Sequence, residues 1–252
     1  MDLTDLAPLA FFEGPNGHHV AYRYLSGSRP ALVFLPGYMS DMRGGKAQAV
    51  LAHAAAQGRA CLLLDYSGCG QSEGTFAEGT LTRWRDEVVA LIRALGLPRV
   101  ILCGSSMGGW LMLLVAQTLP ERVAALVGIA PAPDFTTWGL SAGQQEELAD
   151  GHVIYEENPY GIELTPTHPG FWADGQDNRQ LESPIDFEGP VRLLHGQRDD
   201  DVPWDVSLRL AAALRSADVQ VTLIKDGDHR LSRAEDITLL LRTIDDLVVT
   251  AA

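Results

Sequence analysis

Short apolar segments with strand character alternate along this chain with segments of helical pattern. The predicted strands are residues 19–25, 31–35, 60–64, 100–103, 123–129, 191–194 and 219–224, and the predicted helices are residues 46–56, 81–95, 110–116, 206–214 and 234–249. Repeated strand–helix units form a mostly parallel sheet that helices cover on both faces. The sequence therefore predicts an α/β fold whose ligand site lies beyond the carboxyl ends of the strands.

One long segment, residues 131–190, interrupts this alternation with glycine, proline, acidic residues and scattered aromatic side chains. A segment this long is usually functional when it is ordered, so we interpret it as a small cap over the sheet edge. The chain has 252 residues, of which 46% are hydrophobic, and α/β folds of this size often form one core. We therefore expect a single domain over residues 1–252 that contains the cap insertion.

Composition argues against several classes of function. The formal net charge of -14 repels nucleic acid and anionic membranes, so we expect no nucleic-acid partner. No apolar run reaches membrane-spanning length, and the first residues lack the pattern of a signal peptide, which predicts a cytoplasmic protein without a transmembrane segment. Because Cys61, Cys69 and Cys103 are odd in number and form no Cys-x-x-Cys pair, we expect neither a disulfide framework nor a zinc site.

Three serines, Ser72, Ser106 and Ser141, lie in a Gly-x-Ser-x-Gly pattern. Only Ser106 follows a predicted strand and precedes an apolar segment long enough for a buried helix. A strand, a sharp turn and a helix make up a nucleophile elbow, in which small flanking residues let the serine point out of the turn. We therefore predict Ser106 as a nucleophile, and we interpret the other two serines as loop residues.

A serine hydroxyl needs a histidine base, and the histidine needs a carboxylate that fixes its tautomer. His229 follows the predicted strand 219–224 and gives the chain order of nucleophile, acid and histidine that suits an elbow of this kind. The acid falls among Asp199, Asp200 and Asp201, which follow His195. A hard metal ion bound by His195 and these carboxylates is an alternative, but contiguous residues rarely converge on one ion without a dedicated loop.

The chain resembles the α/β-hydrolase family. The resemblance rests on Gly104-Ser105-Ser106-Met107-Gly108-Gly109, on His195-Gly196 with Asp199 and Val202-Pro203, and on Asp228-His229. Further motifs are similar to the abhydrolase-domain protein 10 branch, known as acyl-protein thioesterases and acyl-glucuronide esterases: Leu35-Pro36-Gly37-Tyr38-Met39-Ser40-Asp41-Met42, Asp65-Tyr66-Ser67-Gly68, Trp84-Arg85 and Leu193-Leu194-His195-Gly196. The family spacing implies Asp199 as the acid, and the family chemistry implies no cofactor and no metal.

Negative charge that develops on a substrate oxygen needs preorganised amide donors. We expect the backbone N–H groups of Met107 and Tyr38 to form this oxyanion hole. We also expect aromatic side chains of the cap to line a substrate pocket, although they serve equally well as a small core of the cap itself. These side chains are Trp138, Tyr155, Tyr160, Phe171 and Trp172.

The sequence as a whole predicts a serine hydrolase that cleaves carboxylic esters or thioesters through an acyl-enzyme. The expected partner is a small acyl ester or thioester, or an acylated protein. Acyl transfer on the same three residues is one alternative, because an alcohol or thiol in place of water uses the same acyl-enzyme. A non-catalytic ligand-binding module of the same fold is the other. Dehalogenase and epoxide hydrolase activity are disfavoured, because those family members carry an aspartate at the position of Ser106.

Overall fold

The computed structural model describes residues 6–158 and 161–250. Within these residues the strands are β1 (Leu9–Glu13), β2 (His19–Leu25), β3 (Ser28–Leu35), β4 (Arg59–Leu64), β5 (Val100–Ser105), β6 (Val123–Ile129), β7 (Ile154–Glu156), β8 (Thr165–Thr167), β9 (Val191–Gly196) and β10 (Val219–Ile224). The α-helices are α1 (Gly45–Ala56), α2 (Leu81–Ala94), α3 (Met107–Thr118), α4 (Phe135–Trp138), α5 (Ala142–Ala149), α6 (Pro169–Asp177), α7 (Asp205–Ala213) and α8 (Ala234–Thr250).

The main sheet has eight strands in the order β1-β2-β4-β3-β5-β6-β9-β10. β1 and β2 pair antiparallel, β2 pairs antiparallel with β4, and the pairs from β4 through to β10 are parallel. The predicted α/β fold with a mostly parallel sheet is confirmed. β1 was not predicted, because this five-residue edge strand is only half-buried and carries no clean alternation of apolar and polar residues.

Successive residues of the central strands contact opposite layers of helix. In β5, Val100 and Leu102 join a core that includes side chains of α2 and α3, whereas Ile101 and Cys103 join a second core that includes side chains of α1 and α8. A strand covered on both faces is apolar throughout, which explains why the sequence shows continuous apolar runs instead of alternation. Helices on both faces leave the ends of the strands as the place for a site.

The amphipathic pattern of α2 illustrates how the helices form. Trp84, Val88 and Leu91 recur at helical spacing and are fully or almost fully buried. The Thr80 side chain accepts a hydrogen bond from the Arg83 N–H and so satisfies one of the unpaired amides at the start of the helix. The helix therefore begins where its cap lies and buries the face that the sequence predicts.

Segment 131–190 contains α4, α5, the antiparallel pair β7–β8 and α6. Its two ends lie together, because the buried Asp134 carboxylate accepts hydrogen bonds from the Gln180 N–H at 2.7 Å and the Leu181 N–H at 2.8 Å. The division into one domain with a cap at these boundaries stays a prediction. In the described part of the chain, no helix combines the length and the apolarity needed to cross a membrane.

Candidate active site

Ser106 lies in the sharp turn between β5 and α3, with φ of 54° and ψ of -120°. A non-glycine residue in this region is strained by about 1–3 kcal/mol, and such strain concentrates at functional turns. The flanking glycines are required by packing. A Cβ at Gly104 would overlap the Gly108 carbonyl, and a Cβ at Gly108 would overlap the Leu35 carbonyl. The elbow therefore holds the serine in place by close backbone contact on both sides.

A series of hydrogen bonds runs from Ser106 to Asp199. His229 Nε2 lies 3.1 Å from Ser106 Oγ, and His229 Nδ1 lies 2.8 Å from Asp199 Oδ2. The loop that carries His229 follows β10, and the Asp228 carboxylate shapes it by accepting a hydrogen bond from the Leu231 N–H at 2.9 Å. Because Nδ1 donates to the carboxylate, Nε2 is left to accept the serine proton.

Asp199 differs sharply from the two aspartates that follow it. Its side chain is fully buried, whereas Asp200 and Asp201 are exposed. Its Oδ1 accepts the N–H groups of Asp201 and Val202, at 3.0 and 2.7 Å. Burial raises the pKa of the Asp199 carboxyl, but hydrogen bonds from His195 and His229 outweigh burial and bring the pKa well below its usual range. The Asp199 carboxyl is therefore ionised at neutral pH.

His195 is a second histidine on the same carboxylate. It is fully buried, with Nε2 3.1 Å from both Asp199 Oδ2 and the Val202 carbonyl. Because Nε2 faces two acceptors it carries the ring proton, and Nδ1 then accepts from Ser207 Oγ at 2.7 Å. Sequence reasoning considered His195 as a strand-end histidine, as part of the acid-loop motif and as a metal ligand, but it did not predict this contact. The signal for the contact was the place of His195 at a strand end, four residues before Asp199.

Among the described residues, Asp199, Asp201 and His229 bring one potential ligand atom each to within 4.8 Å of one another. The hydrogen bonds favour a different use of these atoms. Asp199 already accepts four N–H donors, which fills the capacity of a carboxylate, and His229 Nδ1 is one of those donors. The arrangement suits the orientation of an imidazole, and the absence of a metal stays a prediction.

The predicted oxyanion donors lie at two backbone positions beside Ser106. Met107 is the first residue of α3, so its N–H precedes the first turn of intrahelical bonds. Tyr38 follows Gly37, and a Cβ added at Gly37 would lie 3.3 Å from Ser106 Cβ. The chain at 37–38 therefore runs directly against the serine, which is the placement that a backbone donor needs.

The side chain of Tyr38 connects this loop to the segment above it. Its hydroxyl donates to the Pro166 carbonyl in β8 at 2.9 Å, and its ring lies 4.8 Å from the Phe171 ring and 5.8 Å from the Phe135 ring. Burial raises the pKa of Tyr38 well above its ordinary value, so the hydroxyl stays a donor. Tyr38 therefore fixes β8 to the loop that carries the predicted oxyanion donor.

Ser106 and His229 open into a cavity of about 680 Å³, within the range of small-molecule sites. The apolar residues of its lining include Met39, Ala132, Phe135, Trp138, Leu140 and Val202. Another part of the lining is charged, with the cations of Lys46 and Arg230 and the carboxylates of Asp41, Glu156, Glu157, Asp200 and Asp201. The lining of the cavity therefore offers contacts to both apolar and polar groups of a ligand.

Of the aromatic residues predicted for the pocket, Trp138 lines the cavity. Phe171 is instead fully buried against Trp84, with ring centroids 5.7 Å apart, and Trp172 packs in a small cluster with Leu140. Tyr155 is 61% exposed on β7. These three side chains are not part of the cavity lining, because aromatic residues of an insertion also build its core and its surface. Tyr160 lies outside the described residues.

The other two serines of the Gly-x-Ser-x-Gly pattern have structural contacts. Ser72 Oγ accepts from the Ala21 N–H at 2.8 Å and donates to the Asp65 carbonyl at 2.6 Å. Ser141 caps the start of α5 through a reciprocal pair of contacts with Gln144. Neither serine lines the cavity around Ser106.

Comparison with known proteins gives consistent matches. A family model described as alpha/beta hydrolase fold matches residues 30–153. The human palmitoyl-protein thioesterase ABHD10, mitochondrial (Homo sapiens), is 39% identical over 249 residues, which cover 95% of this chain and 80% of that protein. The aligned part of this chain extends well beyond the elbow and includes the regions of all three predicted triad residues.

Solved structures agree with the sequence matches. Alpha/beta hydrolase domain-containing protein 10 from mouse has a TM-score of 0.90 at 40% identity, covering 97% of this chain and 99% of that one. A structure from Agrobacterium vitis S4 has a TM-score of 0.89 at 36% identity, covering 96% of this chain and 99% of that one. With this fold and this extent of identity, the chain belongs to the α/β-hydrolase family, in the branch of the ABHD10 proteins.

Proposed function

We propose that this protein hydrolyses carboxylic esters and thioesters through an acyl-enzyme on Ser106. The observation that carries the proposal is the hydrogen-bonded series from Ser106 through His229 to the buried Asp199. A serine without such a series is a weak nucleophile, and a binding protein has no need of it. The membership of the ABHD10 branch supports the same conclusion.

In the proposed mechanism, His229 Nε2 takes the Ser106 proton as the hydroxyl oxygen attacks the substrate carbonyl. Asp199 holds the Nδ1–H and stabilises the imidazolium that forms. The backbone N–H groups of Tyr38 and Met107 donate to the oxyanion of the tetrahedral intermediate. His229 then gives its proton to the departing alcohol or thiol. Water activated by the same histidine attacks the acyl-enzyme and releases the carboxylic acid.

We further propose acyl thioesters, including acylated proteins, and simple aryl esters as the preferred substrates. The apolar lining residues, among them Phe135 and Trp138, suit an uncharged acyl group. The relatives named palmitoyl-protein thioesterase support thioesters. Carboxylates in the lining and a net charge of -14 weigh against strongly anionic acyl groups.

The test compares kcat/KM for acetyl, octanoyl and palmitoyl thioesters, a p-nitrophenyl ester and an acyl glucuronide, at low and high salt. We expect thioesters and the aryl ester to be cleaved faster than the glucuronide, and the Ser106→Ala variant to be inactive. A glucuronide that exceeds every other substrate by tenfold would contradict the proposed preference. Binding of a thioester without turnover would instead indicate a ligand-binding module. Product analysis with added glycerol or thiol separates hydrolysis from acyl transfer.

The cytoplasmic location stays a proposal based on the sequence. The ABHD10 relatives are named as mitochondrial proteins. Fractionation of the source cells with an antibody against this protein tests it directly. We expect the protein to be recovered with a cytoplasmic marker. Its recovery with an organelle marker would contradict the proposed location.

A further inference from the structure

Lys46 is an amine inside the catalytic cavity that the proposed mechanism does not use. It lies in the first turn of α1 and lines the same cavity as Ser106 and His229. The sequence contains 19 basic residues besides histidine, and only Lys46 and Lys225 among them are lysines. Lysine differs from arginine in that it can lose its proton near neutral pH and become a nucleophile.

The environment of Lys46 increases the fraction of the amine that is neutral near pH 7.4. Burial and, to a smaller extent, the nearby Arg230 guanidinium lower the pKa of Lys46 to about 8. Asp228 and Asp236 act in the opposite direction but do not cancel these effects. At pH 7.4 an amine with this pKa is neutral in about one molecule in five, whereas an ordinary lysine is neutral in about one in a thousand.

The hydrogen bonds of Lys46 leave its reactive electron pair available. The Nζ donates to the Arg230 carbonyl and lies 3.4 Å from Ser232 Oγ, both in the loop that follows His229. A neutral amine has two N–H bonds and one lone pair. The two N–H bonds donate to these two oxygens, and the lone pair takes part in neither hydrogen bond. The hydrogen bonds that position the amine therefore use its protons and leave its lone pair available as a nucleophile.

We propose that Lys46 is a site of acyl modification, at which Nζ accepts an acyl group from a thioester bound in the catalytic cavity. The lone pair of Nζ forms a bond to the thioester carbonyl carbon, the carbon–sulfur bond breaks, and the sulfur leaves as a thiol after taking the proton that nitrogen loses. The products are an amide on Lys46 and a free thiol, and no further reactant is needed. This inference rests on the proposed function only in requiring that thioesters enter the cavity.

The amide has a consequence for the enzyme. It removes one of the cations of the cavity and leaves an acyl chain attached beside Ser106. Because an amide at this position resists the hydrolysis that clears an acyl serine, each modified molecule loses access for the next substrate. Acylation of Lys46 therefore acts as a slow inactivation that competes with turnover.

The test uses the Ser106→Ala variant, in which bound thioester is not consumed by hydrolysis. The variant is incubated at pH 7.4 with the octanoyl thioester of N-acetylcysteamine and treated with hydroxylamine, which removes thioesters and oxygen esters but spares amides. Peptide mass spectrometry then measures the octanoyl amide at Lys46 and at Lys225, the internal control. We expect the amide to form at least about tenfold faster at Lys46, as expected for a bound reactant with a lowered pKa.

A competing octanoyl thioether, which cannot react, should protect Lys46 and leave Lys225 unchanged. Equal rates at the two lysines, or no protection by the thioether, would overturn the inference. The hydrolysis assay on the native protein is read separately. An active native enzyme without the Lys46 amide refutes this inference alone, and a Lys46 amide without hydrolysis by the native enzyme refutes the proposed function alone.

Discussion

The contact between His195 and Asp199 leads to a test with two variants that differ only in where a donor lies. In His195→Gln the side-chain amide nitrogen is four bonds from Cα, as Nε2 is, so it can still donate to Asp199. In His195→Asn the amide nitrogen is three bonds from Cα, as Nδ1 is, so it reaches towards Ser207 instead. The native distances are 3.1 Å to Asp199 and 2.7 Å to Ser207.

The expected magnitude follows from the hydrogen bonds of the carboxylate. His195 supplies one of four N–H donors to Asp199, and the other three remain in both variants. A hydrogen bond to a charged group contributes about 1.5–3 kcal/mol. If that contribution holds the carboxylate in place for His229, its loss lowers kcat by about 10-fold to 150-fold. This is well below the roughly ten-thousand-fold loss that follows neutralisation of a triad aspartate.

We expect His195→Asn to show this loss in kcat with little change in KM, and His195→Gln to keep kcat within about threefold of the native value. The assay is steady-state hydrolysis of a short p-nitrophenyl ester, with thermal unfolding measured on both variants so that rates are compared only between folded proteins. Equal losses in the two folded variants, or no loss in either, would refute the argument that the donor to Asp199 matters.

Three further predictions concern the same site. Ser106→Ala should abolish ester hydrolysis, whereas Ser141→Ala should keep most of it, because Ser141 caps a helix. The measurement is kcat on the p-nitrophenyl ester, and comparable losses in the two variants would contradict the assignment of Ser106. Asp199→Asn should lower kcat by about ten-thousand-fold, and substitution of the exposed Asp201 by Asn should lower it far less. A larger loss in the Asp201 variant would assign the role of the acid to Asp201 instead. Tyr38→Phe should lower the midpoint of thermal unfolding by about 2–4 °C through loss of one neutral hydrogen bond, with kcat nearly unchanged if the oxyanion donor is the backbone.

The main sheet and the elbow were predictable from sequence because their signals are local. β2, β6 and β10 have the predicted bounds, since each is an apolar run flanked by turns. The turn at Ser106 was predictable because Gly104 and Gly108 are needed where backbones approach closely. A strand followed by such a turn leaves few other conformations open to the chain.

The surroundings of the site were not predictable, because they depend on contacts between distant segments. Lys46 meets the loop at Arg230 across 184 positions in the sequence, and no local pattern announces that contact. Tyr38 bonds to Pro166 in the same way. The positions of the aromatic residues in segment 131–190 were unpredictable for a related reason. Composition alone does not distinguish a residue that lines the cavity, such as Trp138, from a core residue such as Phe171.

The central claim, that Ser106 is a nucleophile activated by His229, is tested most directly with a fluorophosphonate probe. The native protein is incubated with the probe, its intact mass is measured, and the labelled peptide is mapped. The account predicts one adduct, at Ser106, that is absent in Ser106→Ala and forms at least a hundredfold more slowly in His229→Ala, in line with the roughly 10²–10⁴-fold contribution of a general base. An adduct on another serine, or equal labelling of the His229→Ala variant, would contradict it.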